Sequence, residues 1–196
     1  MKQVYPIVLA SGSPRRKELM QMLGLSFETD VSQADEHFAG APAETVSVLS
    51  QRKAAAVAAA HPSAIILAAD TLVFVDSDRL GKPKDRGDAR RMLQQLSGRW
   101  HSVWTGVTVC NTETGLSRTA AEETKVHFLP IGEEEMEAYL STDEPYDKAG
   151  AYAIQGRAGA FIDRIEGSWS NVVGLPLHVA KQLIEEMSEG LENREV

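Results

Sequence analysis

The sequence predicts an α/β chain of mixed α+β character, and three observations carry that reading. A short apolar run, Ile7 to Ala10, is followed by a helical stretch opened by Pro14, the strand–loop–helix order of an α/β unit. A second run, "AIILAAD" from Ala64 to Asp70, has the continuous hydrophobicity of a strand covered on both faces. Later in the chain, alternating apolar runs flank the turn "NTETG", which reads as an antiparallel pair, so the sheet is expected to be mixed.

The elements follow in order. Ile7 to Ala10 is a buried strand. The next helix has Ser13 as its N-cap and Pro14 at its first position, with Leu19, Met20 and Leu23 on one face. Phe27 to Val31 reads as a second strand, and the Ala-rich stretch from Ala43 to Ala60 as a helix with Val46, Leu49 and Val57 on its stripe. The strand Ala64 to Asp70 ends in a carboxylate, "TLVFVDSD" continues as strand and turn, and "GKP" (Gly81 to Pro83) is a loop. Asp85 to Leu96 has helical spacing at Ala89, Met92, Leu93 and Leu96, with Gly98 just beyond. From Trp100 to Cys110 the pattern alternates, with Val103, Thr105, Val107 and Val109 on one face, and Lys125 to Leu129 is the return strand. Glu133 to Leu140 is a short helix. Asp143 to Phe161 is a long Gly-rich, charged loop of the kind that carries function. Phe161 to Ile165 is the last strand and Pro176 to Met187 the last amphipathic helix.

At 196 residues the chain is expected to be one domain, or two lobes sharing a sheet, large enough for a sizeable core. Its apolar fraction of 43% is ordinary for a soluble protein, and no apolar run approaches the length of a membrane span. The start, Met1-Lys2-Gln3, lacks the apolar stretch and small-residue cleavage site of a leader. Cys110 is the single cysteine, so no internal disulfide forms, and a cytoplasmic location is expected. A net charge of −8 argues against a broad nucleic-acid surface. It leaves room for a small anionic ligand, which needs only a local basic pocket or a metal ion.

Arg15 and Arg16 stand in the first turn of a helix, where the macrodipole disfavours cations unless something negative lies nearby. The small residues Ser11, Gly12 and Ser13 allow a ligand close to the backbone. Free N–H groups there, with two guanidinium groups, suit a phosphate. No Gly-Lys-Ser/Thr follows, so this is not a Walker A loop. Asp70, at the end of an apolar strand, is placed where open α/β sheets bind ligands, and a carboxylate there holds Mg²⁺ or Mn²⁺ or accepts a proton from water. A second Asp two positions on, as an aspartyl-phosphate phosphatase requires, is replaced by Leu72. Asp35 and Glu36 taken alone are solvated carboxylates, and Lys53, Lys82 and Lys148 taken alone are surface lysines. The Gln155 amide both donates and accepts, so it suits a base edge. The five histidines show no metal-ligand spacing and, with one cysteine, argue against structural zinc.

In this order, "SGSPRR", "ADT", "GKP", "LSG" before "HSVWTG", "EPYDKAGAYAIQG" and "VVGLP" resemble the Maf family of nucleoside triphosphate pyrophosphatases. The resemblance spans nearly the whole chain. It implies one Maf-like domain over 1–196, possessing two lobes around a central cleft, with residues from about 188 to 196 as a flexible tail. It also implies an elongated mixed sheet with flanking helices, as in inosine triphosphate pyrophosphatases, and a homodimer as the oligomer. The implied reaction is hydrolysis of a nucleoside triphosphate to monophosphate and pyrophosphate, assisted by Mg²⁺, Mn²⁺ or Co²⁺. The family's catalytic aspartate falls on Asp70. Residues tied to substrate choice in the branch acting on dTTP and UTP fall on Arg15, Thr71 and Gln155. Ser13, Arg15, Arg16, Lys53 and Lys82 are then expected to bind the phosphate chain, Asp147 and Lys148 to shape the pocket near Gln155, and Glu36 to join Asp70 on the metal. Neither a nucleic acid nor a membrane is expected as a partner. Two other readings compete: a non-catalytic nucleotide-sensing protein affecting septum formation, and the same reaction on purine or damaged nucleotides.

Overall fold

Residues 5–189 are described by a computed structural model of the chain. Its strands are β1 (Ile7–Leu9), β2 (Phe27–Thr29), β3 (Ile65–Val75), β4 (Asp78–Leu80), β5 (Trp100–Asn111), β6 (Leu116–Phe128) and β7 (Ile162–Glu166). They form one seven-stranded sheet in the order β2-β1-β3-β5-β6-β7, with β4 paired to β3. β1 is parallel to both β2 and β3, whereas β4 on β3 and β7 on β6 are antiparallel, so the sheet is mixed as expected. The helices are α1 (Pro14–Met22), α2 (Pro42–Ala58), α3 (Arg86–Leu96), α4 (Glu133–Leu140), α5 (Trp169–Val173) and α6 (Leu177–Glu189). Among the described residues no helix is long and apolar enough to cross a membrane.

Local signals set most helix boundaries. Ser13 Oγ accepts from the Arg16 N–H at 3.5 Å and Pro14 opens α1, which ends before Gly24 at φ 67°. Asp85 caps α3 by accepting from the Asp88 N–H at 2.8 Å, and Gly98 follows at φ 70°.

Several elements differ from the sequence expectation. The run after Asp70 continues as strand, as expected, and joins the preceding one without a break, so that β3 reaches Val75 and Asp70 lies in the middle of a strand rather than at its end. The cause is nonlocal: β4 pairs Leu80, Arg79 and Asp78 with Val73, Phe74 and Val75, and this hairpin keeps the segment extended. β6 starts at Leu116 instead of Lys125, because its polar first half lies beside the long strand β5, where the Thr108 and Thr119 hydroxyls stand 2.9 Å apart. β2 ends at Thr29 rather than Val31. The loop from Asp143 to Phe161 contains 3₁₀ turns at Glu144–Asp147, Ala149–Ala151 and Arg157–Phe161. Helix α5 was not expected; it follows Ser168, whose Oγ accepts from the Asn171 N–H at 3.3 Å. The expected tail begins at Ser188, which is still helical, and its residues 190–196 lie outside the described residues.

Packing divides the chain into two units. The first holds the residues up to Asp70, Thr105–Glu122 and the residues from Gly174. A cluster of small side chains marks its interior: Val8, Ala10, Ala54, Val57, Ala64, Ile66 and Ala68 are at most 3% exposed. Helix α2 passes so close to β5 that a Cβ on Gly106 would lie 2.2 Å from the Val46 carbonyl oxygen. A chain of hydroxyls reinforces this contact, with Ser50 Oγ 2.8 Å from Thr108 Oγ1.

The second unit comprises Thr71–Trp104 and Glu123–Val173. Its core joins Ala89, Met92, Leu93 and Leu96 of α3 to Phe128, Tyr139, Tyr152 and Phe161. His101 is buried in this aromatic cluster, edge-on to Phe128 and with Nε2 2.7 Å from the Tyr152 hydroxyl. Burial, with a smaller effect from His127, lowers its pKa to about 3, so the ring is neutral in the folded chain.

Two predictions follow from this packing. Gly106→Ala forces α2 off the sheet and lowers stability by about 1–3 kcal/mol, read as a shift in the denaturation midpoint. For His101, the unfolded chain binds the proton more readily than the folded one between the ordinary pKa and about 3. Stability is therefore full above about pH 6.5 and falls with pH below it, by about 2 kcal/mol at pH 5. His101→Gln flattens this dependence in denaturant titrations at pH 7 and pH 5.

Candidate active site

The loop between β1 and α1 places Ser11 at the first bend. Its Oγ accepts from the Ser13 N–H at 3.2 Å and from Arg16 Nη1 at 3.4 Å. Arg16 Nε donates to the Gly174 carbonyl at 2.8 Å, so the guanidinium is fixed by two distant parts of the same unit. Burial lowers the Arg16 pKa, and the Asp70 and Glu36 carboxylates oppose that shift. Arg16 thus stands in the field of both carboxylates, which answers the unfavourable placement of a cation in the first turn of a helix.

Asp70 is 6% exposed in the middle of β3. Its Oδ1 accepts from Lys53 Nζ at 2.6 Å, and the same ammonium reaches Glu36 Oε1 at 2.9 Å. Lys53 is brought there by α2. The Lys53 and Asp70 side chains are 13% and 9% exposed, while Glu36 is 65% exposed. An ionised carboxylate this deep is tolerated only when it is paired. Asp70 Oδ2 is also buried, and it has no hydrogen-bond partner among the described residues. The pair leaves one carboxylate oxygen buried and without a hydrogen bond among the described residues.

Among the described residues no three His, Cys, Asp or Glu side chains gather into a metal cage. The donors at hand are the unpartnered Asp70 Oδ2 and Glu36. That set fits a hard divalent ion of the Mg²⁺ type, which uses one or two carboxylates and completes its shell with water and substrate phosphates.

Thr71 follows Asp70 in β3, where strand alternation turns the two side chains to opposite faces. Arg15 lies half-buried in the first turn of α1. In the second unit, the Gly150 N–H donates to the Gly81 carbonyl at 3.0 Å and ties the loop carrying Lys82 to the one carrying Lys148. Lys148 Nζ donates to the Glu144 carbonyl at 2.8 Å and pairs with Asp147. Gln155 is exposed on the next turn. The structure therefore gathers Ser13, Arg16, Glu36, Lys53 and Asp70 in one unit and Lys82, Asp147, Lys148 and Gln155 in the other.

Sequence reading did not single out Glu144. Its carboxylate accepts from the Arg157 N–H at 2.9 Å and the Ala158 N–H at 3.3 Å. An acid beside Pro145 is the only local trace of this role.

The fold and the sequence both have known counterparts. The chain superposes on the Staphylococcus aureus Ham1 protein with a TM-score of 0.55 at 13% identity, over 92% of this chain and 98% of that one. That likeness shows the fold alone and agrees with the expected class. The family model described as Maf-like protein matches residues 6–187. The chain belongs to the Maf family. Curated Maf relatives share far more of the sequence. One from Symbiobacterium thermophilum, named dTTP/UTP pyrophosphatase, is 51% identical over 91% of this chain and 92% of its own length. Proteins of the same name from Vibrio cholerae and Bacillus cytotoxicus are 48% and 45% identical, over 91% and 93% of this chain.

The Lys53–Asp70 contact predicts a measurable coupling in this Maf chain. Lys53→Met and Asp70→Asn, combined in a double-mutant cycle followed by denaturant unfolding, give an interaction energy of about 1–3 kcal/mol. Additive effects would show that the pair does not hold the carboxylate.

Proposed function

We propose that this Maf chain hydrolyses nucleoside triphosphates, dTTP and UTP first among them, to the monophosphate and pyrophosphate. The observation that carries the reading is the buried Asp70 carboxylate, held at one oxygen by Lys53 and unpartnered at the other, with Arg16 beside it. The relatives named dTTP/UTP pyrophosphatase, up to 51% identical, support the substrate class.

The reaction needs little covalent chemistry from the protein and much positioning and charge stabilisation. Water attacks the α-phosphorus, a new P–O bond forms there, and the bond to the bridging oxygen breaks. Pyrophosphate leaves with the bonding electrons. Asp70 Oδ2 orients the water and takes its proton, while Lys53 keeps the other oxygen fixed. Arg16, held beside Asp70 at the start of α1, stabilises charge on phosphate oxygens. Lys82 and Lys148 are further phosphate ligands in this reading, and Arg15, Thr71 and Gln155 set the choice of base. Asp70 and Glu36 would hold a divalent ion (Mg²⁺, Mn²⁺ or Co²⁺), which when bound supplies charge neutralisation and activates water. A nucleoside triphosphate substrate suits an enzyme of the cytoplasm.

A panel of canonical and modified triphosphates, assayed for pyrophosphate release with each divalent ion, tests the proposal. The expected result is highest kcat/KM for dTTP and UTP. Asp70→Asn should lower kcat by at least about a hundredfold with folding intact, the scale of a lost general base. Near-normal turnover in that variant would remove Asp70 from the mechanism.

A further inference from the structure

We propose that Glu144 is a positioning residue for base selection, latching the turn that presents Gln155. The proposal rests on the reading that Gln155 reads the base. Glu144 opens the 3₁₀ turn Glu144–Asp147, and its side chain reaches across to the segment after Gln155. Oε2 accepts from the Arg157 N–H at 2.9 Å, and Oε1 lies 3.3 Å from the Ala158 nitrogen. Two consecutive backbone N–H groups thus converge on one carboxylate, the arrangement of an anion nest. The Tyr139 hydroxyl adds a third contact, 3.2 Å from Oε1. Burial above all, and the carboxylate beside it, raise the Tyr139 pKa, so this hydroxyl stays protonated and donates.

Gly156 shows how closely the carboxylate is seated. A Cβ at that position would lie 2.2 Å from Oε1, 2.5 Å from Cδ and 2.7 Å from Oε2. A side chain directly after Gln155 would have to displace the Glu144 carboxylate, which occupies that space. The Gly156 N–H in turn donates to the Ala153 carbonyl at 3.1 Å, and the Gly159 N–H to the Gly156 carbonyl at 3.0 Å, so the turn is closed on both sides. The main chain of Glu144 does a second task, since its carbonyl accepts from Lys148 Nζ at 2.8 Å. One residue therefore fixes both the amide proposed to read the base and a cation proposed to bind phosphate. Gln155 itself is exposed, and the side-chain contacts that restrain its turn are those made by its neighbours to Glu144.

Two variants and two measurements test the latch. Glu144→Gln keeps the shape but sets an amide against two N–H donors, and Gly156→Ala keeps the carboxylate but drives a methyl group into it. Hydrogen exchange of the backbone amides at 157 and 158 reads the latch without reference to activity. It should accelerate about tenfold or more in Glu144→Gln, the scale of losing one hydrogen bond to a charged group. The ratio of kcat/KM for dTTP over a purine triphosphate should fall by a similar factor in both variants, through KM more than kcat. Unchanged exchange at 157 and 158 would overturn the latch. Faster exchange with an unchanged ratio, or an equal loss on every triphosphate, would overturn the role in base selection. Gln155→Ala, run beside them, separates the two ideas. If it leaves the ratio unchanged while Glu144→Gln collapses it, Glu144 positions the selective turn and the reading of Gln155 falls.

Discussion

A buried carboxylate sits in the middle of a largely apolar strand, and much of the first unit is arranged to permit it. β3 reads Ile, Ile, Leu, Ala, Ala before Asp70 and Leu, Val, Phe, Val after Thr71. Burying a single charge in such surroundings costs several kcal/mol unless a partner lies within hydrogen-bonding distance. Lys53 at 2.6 Å meets that demand, and Glu36 at 2.9 Å shares the ammonium. Lysine reaches Asp70 because α2 lies close to the sheet, and α2 lies close because Gly106 has no Cβ to oppose the Val46 carbonyl. Small side chains at Ala10, Ala54 and Ala68 pack within the same cluster. A backbone approach set by glycine and alanine and the pairing of the central carboxylate are one constraint seen at two scales.

The same logic accounts for the arginines at the start of α1. Helix-end physics alone predicts that cations there are disfavoured. Tertiary structure reverses the sign for Arg16, which lies near Asp70 and Glu36 and donates to the Gly174 carbonyl and Ser11. The side chain's burial pushes its pKa down, and the neighbouring carboxylates push back. An arginine in place of a lysine suits this position, since a guanidinium satisfies several acceptors at once and keeps its charge when half-buried.

The sequence made legible those features whose signals are local. Ser13 with Pro14 and the Ala89-Met92-Leu93-Leu96 stripe each carry their structure within a few residues, and each is found as expected. The errors lie where a distant partner decides. Asp70 lies inside β3 and not at its end because β4 folds back on the residues that follow it, and the charged stretch of β6 is extended because β5 lies alongside. Strand preference is a property of the pair more than of the single segment. The site divides in the same way. Asp70, Glu36, Lys53 and Arg16 were identifiable as candidates, but that Lys53 is engaged by two carboxylates follows only from three-dimensional packing. Glu144 left no comparable trace, because its partners are backbone N–H groups, which every sequence supplies everywhere except at proline.

The charge balance around Asp70 bears on what the site needs before it can act. Lys53 and Arg16 are cations, Asp70 and Glu36 anions, so these four groups sum to zero. A triphosphate brings several negative charges to a place where the existing positive charge is already engaged. Repulsion from two carboxylates in a partly buried setting is only weakly screened. Positive charge must therefore arrive with the nucleotide or from further side chains. A divalent ion satisfies that need with the fewest new contacts, since it draws ligands from phosphate oxygens and from the carboxylates that would otherwise repel them. In the proposed reaction the unpartnered oxygen of Asp70 and the exposed carboxylate of Glu36 would then favour substrate binding instead of opposing it. That charge requirement, more than any cage of metal ligands, is the physical argument for the divalent ion in the proposed reaction.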